Sequence, residues 1–228
     1  DSRMTAADVL ETDATLIGVA TGSHWRRDGI GRHSSKPIEG WDQPHVLSPD
    51  SIMDGEQCSG DVVIYEDDQF YMASVVAERL VEQACRVTIV TPGFTIARFT
   101  EFTLEIGPIH KRLGSLGVHI IANREITTIG TDSLKTRDIY SEVTSEIPCD
   151  HLVMVAARRP NARLYETLLT SMSHDKVHLL GDARAPGTIA AAVYAGHSFA
   201  QTLTVDTEDR APFMREDVTL RHRLATAP

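Results

Sequence analysis

The chain has 228 residues, 42% of them hydrophobic and 24% charged, with a formal net charge of −10. That length supports one large domain or two small ones with a real core. The acidic balance excludes a non-specific binder of nucleic acid or anionic membrane, both of which need a basic surface. No apolar run approaches the roughly 18 residues of a membrane span. The opening DSRMTAADVL lacks a basic segment followed by an apolar one, so no secretory signal is expected there. Cys58, Cys85 and Cys149 lie far apart without a CxxC pair, which predicts reduced thiols in a cytoplasmic protein. They offer no ligand set for an iron–sulfur cluster. The ten histidines are scattered, and the closest spaced pair, His174 and His178, reads as structural or solvated.

In chain order, the first predicted element is a buried-type strand over Ala14–Ala20, ending in Thr21, Gly22 and Ser23. A loop-rich stretch follows from Trp25 to Asp50, with a turn at Pro37–Gly40. From Asp61 to Tyr65 the chain is apolar and β-branched, a second strand. Gln69–Ala84 predicts a helix, because Phe70, Ala73, Val76, Ala77, Leu80 and Val81 share one helical stripe. Arg86–Val90 is a strand closed by the turn signal Thr91-Pro92-Gly93. Glu101–Gly114 suggests a helix with Leu104 and Leu113 among its apolar positions, bent or interrupted at Pro108. Val118–Ala122 is a short strand, and Glu125–Ile147 reads as an antiparallel meander.

The last segment repeats the pattern of the first. Leu152–Ala156 is a buried strand and Arg158–Asn161 a turn, with Asn161 placed to cap a helix running to Ser171. Val177–Leu180 is a strand ending in Gly181 and Asp182. A small-residue helix, Gly187 to about Leu203, comes next, and a charged tail begins near Asp206. Strands alternating with helices predict an α/β fold with mostly parallel sheets and a small antiparallel meander.

Ligands of open α/β sheets bind at the carboxyl ends of strands. Ala20, Thr21, Gly22, Gly181 and Asp182 are therefore the candidate contacts for a nucleotide or flavin. The competing reading makes Thr21-Gly22 a tight turn and Asp182 a cap for the helix behind it. A second strand end conflicts with nucleotide binding. In VVIYEDDQFYMAS (Val62–Ser74), Glu66, Asp67 and Asp68 stand at a strand-to-helix turn where a dinucleotide site needs glycine. Two like charges about 5 Å apart cost roughly 3 kcal/mol at an effective dielectric of 20. A helix N-terminus returns only about 0.3–1 kcal/mol, and at most about 2, per charge. The ribose-binding acid is also missing, because the next strand ends Val90-Thr91-Pro92. The acids then either cap the helix in the phosphate's place or form an acidic docking patch. Gly29-Ile30-Gly31-Arg32-His33-Ser34 begins like a dinucleotide fingerprint, but no strand precedes it, so the match is chance. Arg26-Arg27 and Arg158-Arg159 read as solvated or salt-bridged, and Trp25 as core or as a stacking surface.

These segments resemble the two-dinucleotide-domain flavoproteins. Thr12–Ser23 with Pro37–Gly40 is similar to their ATG segment, and Cys149–Asn161 to its second copy, with Ala157 in place of the usual glycine. Val177–Asp182 resembles their closing flavin motif. Within that superfamily, Asp54-Gly55, Val62–Ala73, Phe102–Glu105 and Lys111–Leu113 resemble the trimethylamine dehydrogenase family, which is old-yellow-enzyme-like. The resemblance implies a Rossmann-like two-domain architecture, truncated at its N-terminus. In it, 1–59 and 151–228 are parts of an FAD- or ADP-binding-like domain, and 60–150 is an inserted NAD(P)-binding-like domain. It also implies that FMN and a 4Fe-4S cluster belong to an N-terminal barrel outside this chain, and that electrons pass to a carrier protein. FAD or ADP is the expected ligand of the partial site, NAD(P) is not expected, and this chain alone is expected to have no catalysis. An oligomer stays open. Two other readings stand beside this one: an NAD(P)H-dependent enoyl or flavin reductase of the same superfamily, and a non-catalytic docking module.

Overall fold

A computed structural model describes residues 3–203. Its strands are β1 (Ile17–Val19), β2 (Ser23–Trp25), β3 (Val46–Leu47), β4 (Asp61–Glu66), β5 (Arg86–Val90) and β6 (His119–Ile121), followed by β7 (Arg124–Ile129), β8 (Ser133–Asp138), β9 (Thr144–Pro148), β10 (His151–Val155), β11 (Arg158–Pro160) and β12 (Val177–Leu179). The helices are α1 (Ala6–Leu10), α2 (Pro49–Met53), α3 (Met72–Glu82), α4 (Ile106–Ser115), α5 (Arg163–Leu168) and α6 (Ile189–Thr202). The architecture is α/β with mostly parallel sheets, as the alternation predicts.

The centre is a five-stranded parallel sheet in the order β3-β10-β4-β5-β6. Strands covered on both faces need continuous apolar runs, and Val62–Tyr65 and Leu152–Val155 supply them, all buried. Val62, Ile64 and Ile89 face the helical layer, where Ala73, Val76, Ala77 and Leu80 of α3 meet Leu113 of α4. Val63, Tyr65, Val90, Leu152 and Met154 face the other way, against Ile126, Ile129 and Leu134 of the antiparallel meander β7-β8-β9. Strands from all three sequence segments thus meet in one sheet.

Among the described residues β1 pairs in parallel with β12 alone. α1 and α5 cover one face of this pair, through Val9, Leu164, Leu168 and Leu169 packed around Val19 and Val177. Phe199 of α6 lies on the other, 3.4 Å from where a Cβ on Gly18 would stand.

Several local expectations change. Arg158–Pro160 is an antiparallel strand against β2, where a turn is expected from sequence. Pro160 is tolerated because this two-stranded ribbon has free edges. Asn161 does not cap α5, whose N-cap is Ala162. α4 begins only at Ile106, because Leu104 is left-handed at φ 62° and 86% exposed. Pro108 therefore falls in the first turn, where its missing N–H is harmless, and interrupts nothing. Among the described residues, no helix is long and apolar enough to cross a membrane.

Candidate functional site

The register Ile17↔Val177, Gly18↔His178, Val19↔Leu179 sets the ends of β1 and β12 side by side. Ala20, Thr21 and Gly22 thereby come next to Gly181 and Asp182, and Ser23 Oγ reaches Asp182 Oδ2 at 3.2 Å. Gly22 has φ 74°, and a Cβ there would meet no atom within 4 Å, so there is room beside it. The polar groups are largely taken, however. Asp182 Oδ2 also accepts from Arg158 Nη1 at 2.5 Å, and its Oδ1 accepts from the Gly187 N–H at 3.1 Å. These bonds use three of the roughly four lone-pair positions of a carboxylate. Asp182 does not cap α6, whose N-cap is Thr188. Thr21 Oγ1 donates to Asn161 O at 2.5 Å, and the Asn161 N–H and Nδ2 return bonds to Gly22 O and Thr21 O. A ligand hydroxyl reaching these residues would compete with Arg158 for Asp182. Arg158 Nη2 is further fixed by Gly187 O at 2.7 Å, and its guanidinium lies 5.5 Å from the Trp25 ring centroid.

The acidic turn after β4 contradicts both readings drawn from the sequence. No side chain caps α3, whose N-cap is Tyr71. Glu66 and Asp67 are only 0% and 3% exposed, so they form no docking patch either. The Glu66 carboxylate lies inside the fold, accepting the Gln69 N–H at 2.8 Å and Gln69 Nε2 at 2.5 Å. Thr91 and the Ala97 N–H bond to it as well. No cation pairs with it among the described residues. Burial outweighs these donors and pushes Glu66 up to about 8. Asp67 and Asp68 are also raised, again by burial, against the pull of Arg32 and its neighbours.

A strap from the first segment closes over this turn. The His33 N–H donates to Asp67 Oδ2 at 2.8 Å, and Arg32 Nε reaches Asp68 O at 3.3 Å. The Arg32 guanidinium lies 4.8 Å from the Phe99 ring centroid, and His33 Nε2 is 2.9 Å from Glu125 Oε2 in the meander. Gly31 permits the approach: a Cβ there would stand 2.3 Å from Asp67 Oδ2 and 3.2 Å from Ala156 Cβ. The Gly29–Ser34 stretch is no phosphate loop, as its context predicts, and its second glycine is a contact point with a carboxylate. Space remains beside the strap, in a cavity of about 220 Å³ lined by Arg32, His33, Asp67 and Gly93 and one of about 410 Å³ that reaches Tyr71 and Met72 at the start of α3. A pyrophosphate entering there would meet carboxylates.

Residues 47–148 match the family model of the OYE-like second alpha/beta domain. Around that domain the likeness extends along almost the whole chain. Dimethylamine dehydrogenase of Hyphomicrobium sp. (strain x) is 27% identical over 241 residues, covering 93% of this chain and 33% of that protein. The solved histamine dehydrogenase of Rhizobium sp. 4-9 is 40% identical with a TM-score of 0.85, covering 95% of this chain and 35% of that one. The 6-hydroxypseudooxynicotine amine oxidase of Pseudomonas geniculata N1 is 34% identical with a TM-score of 0.86, over 90% of this chain and 31% of that one. The chain is similar to these two amine dehydrogenases and to the amine oxidase, and spans about a third of their length.

Within the OYE-like domain, sequence reasoning found the acidic turn but missed its burial and its partners. His33 is 34 residues away from Asp67, and only the fold brings the two together. The available signal was Gly31 itself, a glycine in a polar loop with no turn motif to explain it. Arg158, for which the sequence leaves solvation and a salt bridge open, is salt-bridged, and no sequence signal points to its partner Asp182.

Proposed function

We propose that this chain is the C-terminal, nucleotide-binding-like part of a flavin-dependent amine dehydrogenase. In this reading the longer protein oxidises its amine outside this chain, where FMN and a 4Fe-4S cluster reside, and passes electrons to a carrier protein. The observation that carries the reading is the 40% identity to a histamine dehydrogenase over 95% of the chain. The carboxylates at the turn after β4 support its second half, that the inserted domain, residues 60–150, does not use NAD(P). A pyrophosphate arriving there would meet Asp67 and the strap held over it, with Asp68 alongside.

FAD or ADP is the ligand we assign to Ala20, Thr21, Gly22, Gly181 and Asp182 in the longer protein. In the 228-residue chain these five residues give at most weak binding, because Arg158 holds Asp182. The test is a thermal-shift titration of the chain with NADPH, ADP and FAD. NADPH is expected to leave the transition unmoved. A saturable NADPH shift would sink the reading of the inserted domain and favour a pyridine-nucleotide-dependent reductase. Arg158→Met is expected to raise the response to FAD, since it frees the Asp182 carboxylate, and to leave NADPH silent.

A further inference from the structure

β12 and the helices α5 and α6 line a cleft of about 660 Å³, apart from the five residues assigned to the nucleotide. Its lining reverses the charge of the molecule. The chain carries 32 acidic against 22 basic residues, yet among the described residues no carboxylate lines this cleft, while Arg184, His174 and His178 do. Arg184 makes no ion pair within the described residues, so its planar donor fork has no anion to hold. His178 donates through Nε2 to Asp175 O at 3.0 Å, and its ring lies tilted by 48° against Phe199 with centroids 5.1 Å apart. That bond fixes the ring and leaves Nδ1 as its second polar atom. His174 Nδ1 is 3.5 Å from the Tyr165 hydroxyl, which also lines the cleft. The neighbouring carboxylate, Asp175, bonds to Ser173 and its own backbone and sits against Lys176 as well as His178. The remaining wall is mixed, with Leu179, Leu180 and Phe199 as its apolar part and Tyr194, Ser198 and Thr202 as its polar part.

We propose that this cleft binds a small organic oxyanion with an aromatic body, Arg184 gripping the oxyanion and Phe199 with Leu180 packing the ring. A guanidinium holds a carboxylate or a phosphate through two parallel N–H donors, which a lysine cannot reproduce. Leu179, Leu180 and Phe199 favour an aromatic body over a bare inorganic ion. This assignment is independent of the dehydrogenase reading and uses none of the residues given to the nucleotide.

Phenyl phosphate, benzoate and inorganic phosphate serve as probes, titrated into the 228-residue chain while the imidazole proton resonances are followed by NMR. Phenyl phosphate or benzoate is expected to saturate and to shift the His174 and His178 signals, with inorganic phosphate at least tenfold weaker. Whichever of the two aromatic probes binds tighter identifies the oxyanion. Arg184→Met is expected to weaken that probe at least tenfold, and Arg184→Lys to fall between. Unchanged thermal unfolding of both variants shows that the loss is local. Three results overturn the proposal: no saturable binding by either aromatic probe, equal affinity in Arg184→Met, or inorganic phosphate binding as tightly as phenyl phosphate.

Discussion

The central sheet and the β1–β12 pair use the same apolar parallel strands, yet they differ in what covers them. The five-stranded sheet is sealed by α3 and α4 on one face and by the meander on the other. The β1–β12 pair has α1 and α5 on one face, while α6 on the other contains no buried residue and leaves Ile189 84% exposed. Two strands with one covered face are marginal on their own. Burial, not strand chemistry, therefore decides where the stability of this chain resides. The contrast breaks first at Leu80, which is fully buried in α3. Leu80→Ala is expected to cost about 2–5 kcal/mol in urea unfolding, through the cavity it leaves. Val193→Ala on α6, 56% exposed, is expected to stay within about 0.5 kcal/mol. Equal losses at the two positions would overturn the comparison.

Glu66 sharpens the contrast between the acidic turn and the strand ends at Asp182, because it is a buried acid without a cation among the described residues. Its carboxyl rises from an ordinary 4.5 to about 8 in the folded chain. A raised acid binds its proton more tightly when folded, so the native state holds more protons than the unfolded one between those values. Stability then falls as pH rises from about 4.5 towards about 8, by an amount on the order of a few kcal/mol. Glu66→Gln removes the ionisation and lets the Gln69 amide, whose Oε1 has no partner, turn to a complementary orientation. Denaturant unfolding at pH 5, 7 and 9 should show a shallower pH slope in Glu66→Gln than in the parent chain. An unchanged slope would place the titration elsewhere.

Sequence shows the central sheet well and the crevice poorly, for a physical reason. Val62–Tyr65, Arg86–Val90 and the α3 stripe declare themselves because burial on a regular element imposes a local period. The α3 prediction overran, since Gln69 at φ 66° breaks the helix before Met72. Arg158–Pro160 could not be read as a strand, because its pairing with Ser23–Trp25 is more than 130 positions distant. At the candidate site the register of β1 on β12 brings the five strand-end residues together, a juxtaposition that the matching strand-end patterns suggest in sequence. Arg158 on Asp182 and His33 on Asp67 were not legible, because a charge in a sequence does not reveal its partner.

Gly31 tests whether the strap is a tight fit or a loose cover. Alanine there would put a methyl group 2.3 Å from Asp67 Oδ2 and 3.2 Å from Ala156 Cβ, so strap or carboxylate must move. Overpacking of this kind costs about 1–3 kcal/mol. Gly31→Ala should also speed trypsin cleavage after Arg32, which the strap holds over Phe99. Asp67→Ala in the same chain is expected to recover part of the lost stability by removing the clash. A double variant no better than Gly31→Ala would show that the strain lies against Ala156.

The smallest effect belongs to the outer fastening of the strap. His33 Nε2 meets Glu125 Oε2 at 2.9 Å, and Arg137 pairs with the same carboxylate from the next strand. Burial alone would raise Glu125, but Arg137 and His33 together hold it below its usual range. A lowered acid contributes stability above its unfolded pKa and loses it as pH falls through the folded one. His33→Asn leaves Arg137 in place, so Glu125 keeps its stronger partner. The loss is expected to be about 0.2–1 kcal/mol, the range of a partly exposed pair. Because the His33 backbone N–H still binds Asp67, cleavage after Arg32 should rise far less than in Gly31→Ala. If His33→Asn released the strap as fully as Gly31→Ala, the Glu125 pair would be its main anchor and the buried Asp67 contact a secondary one.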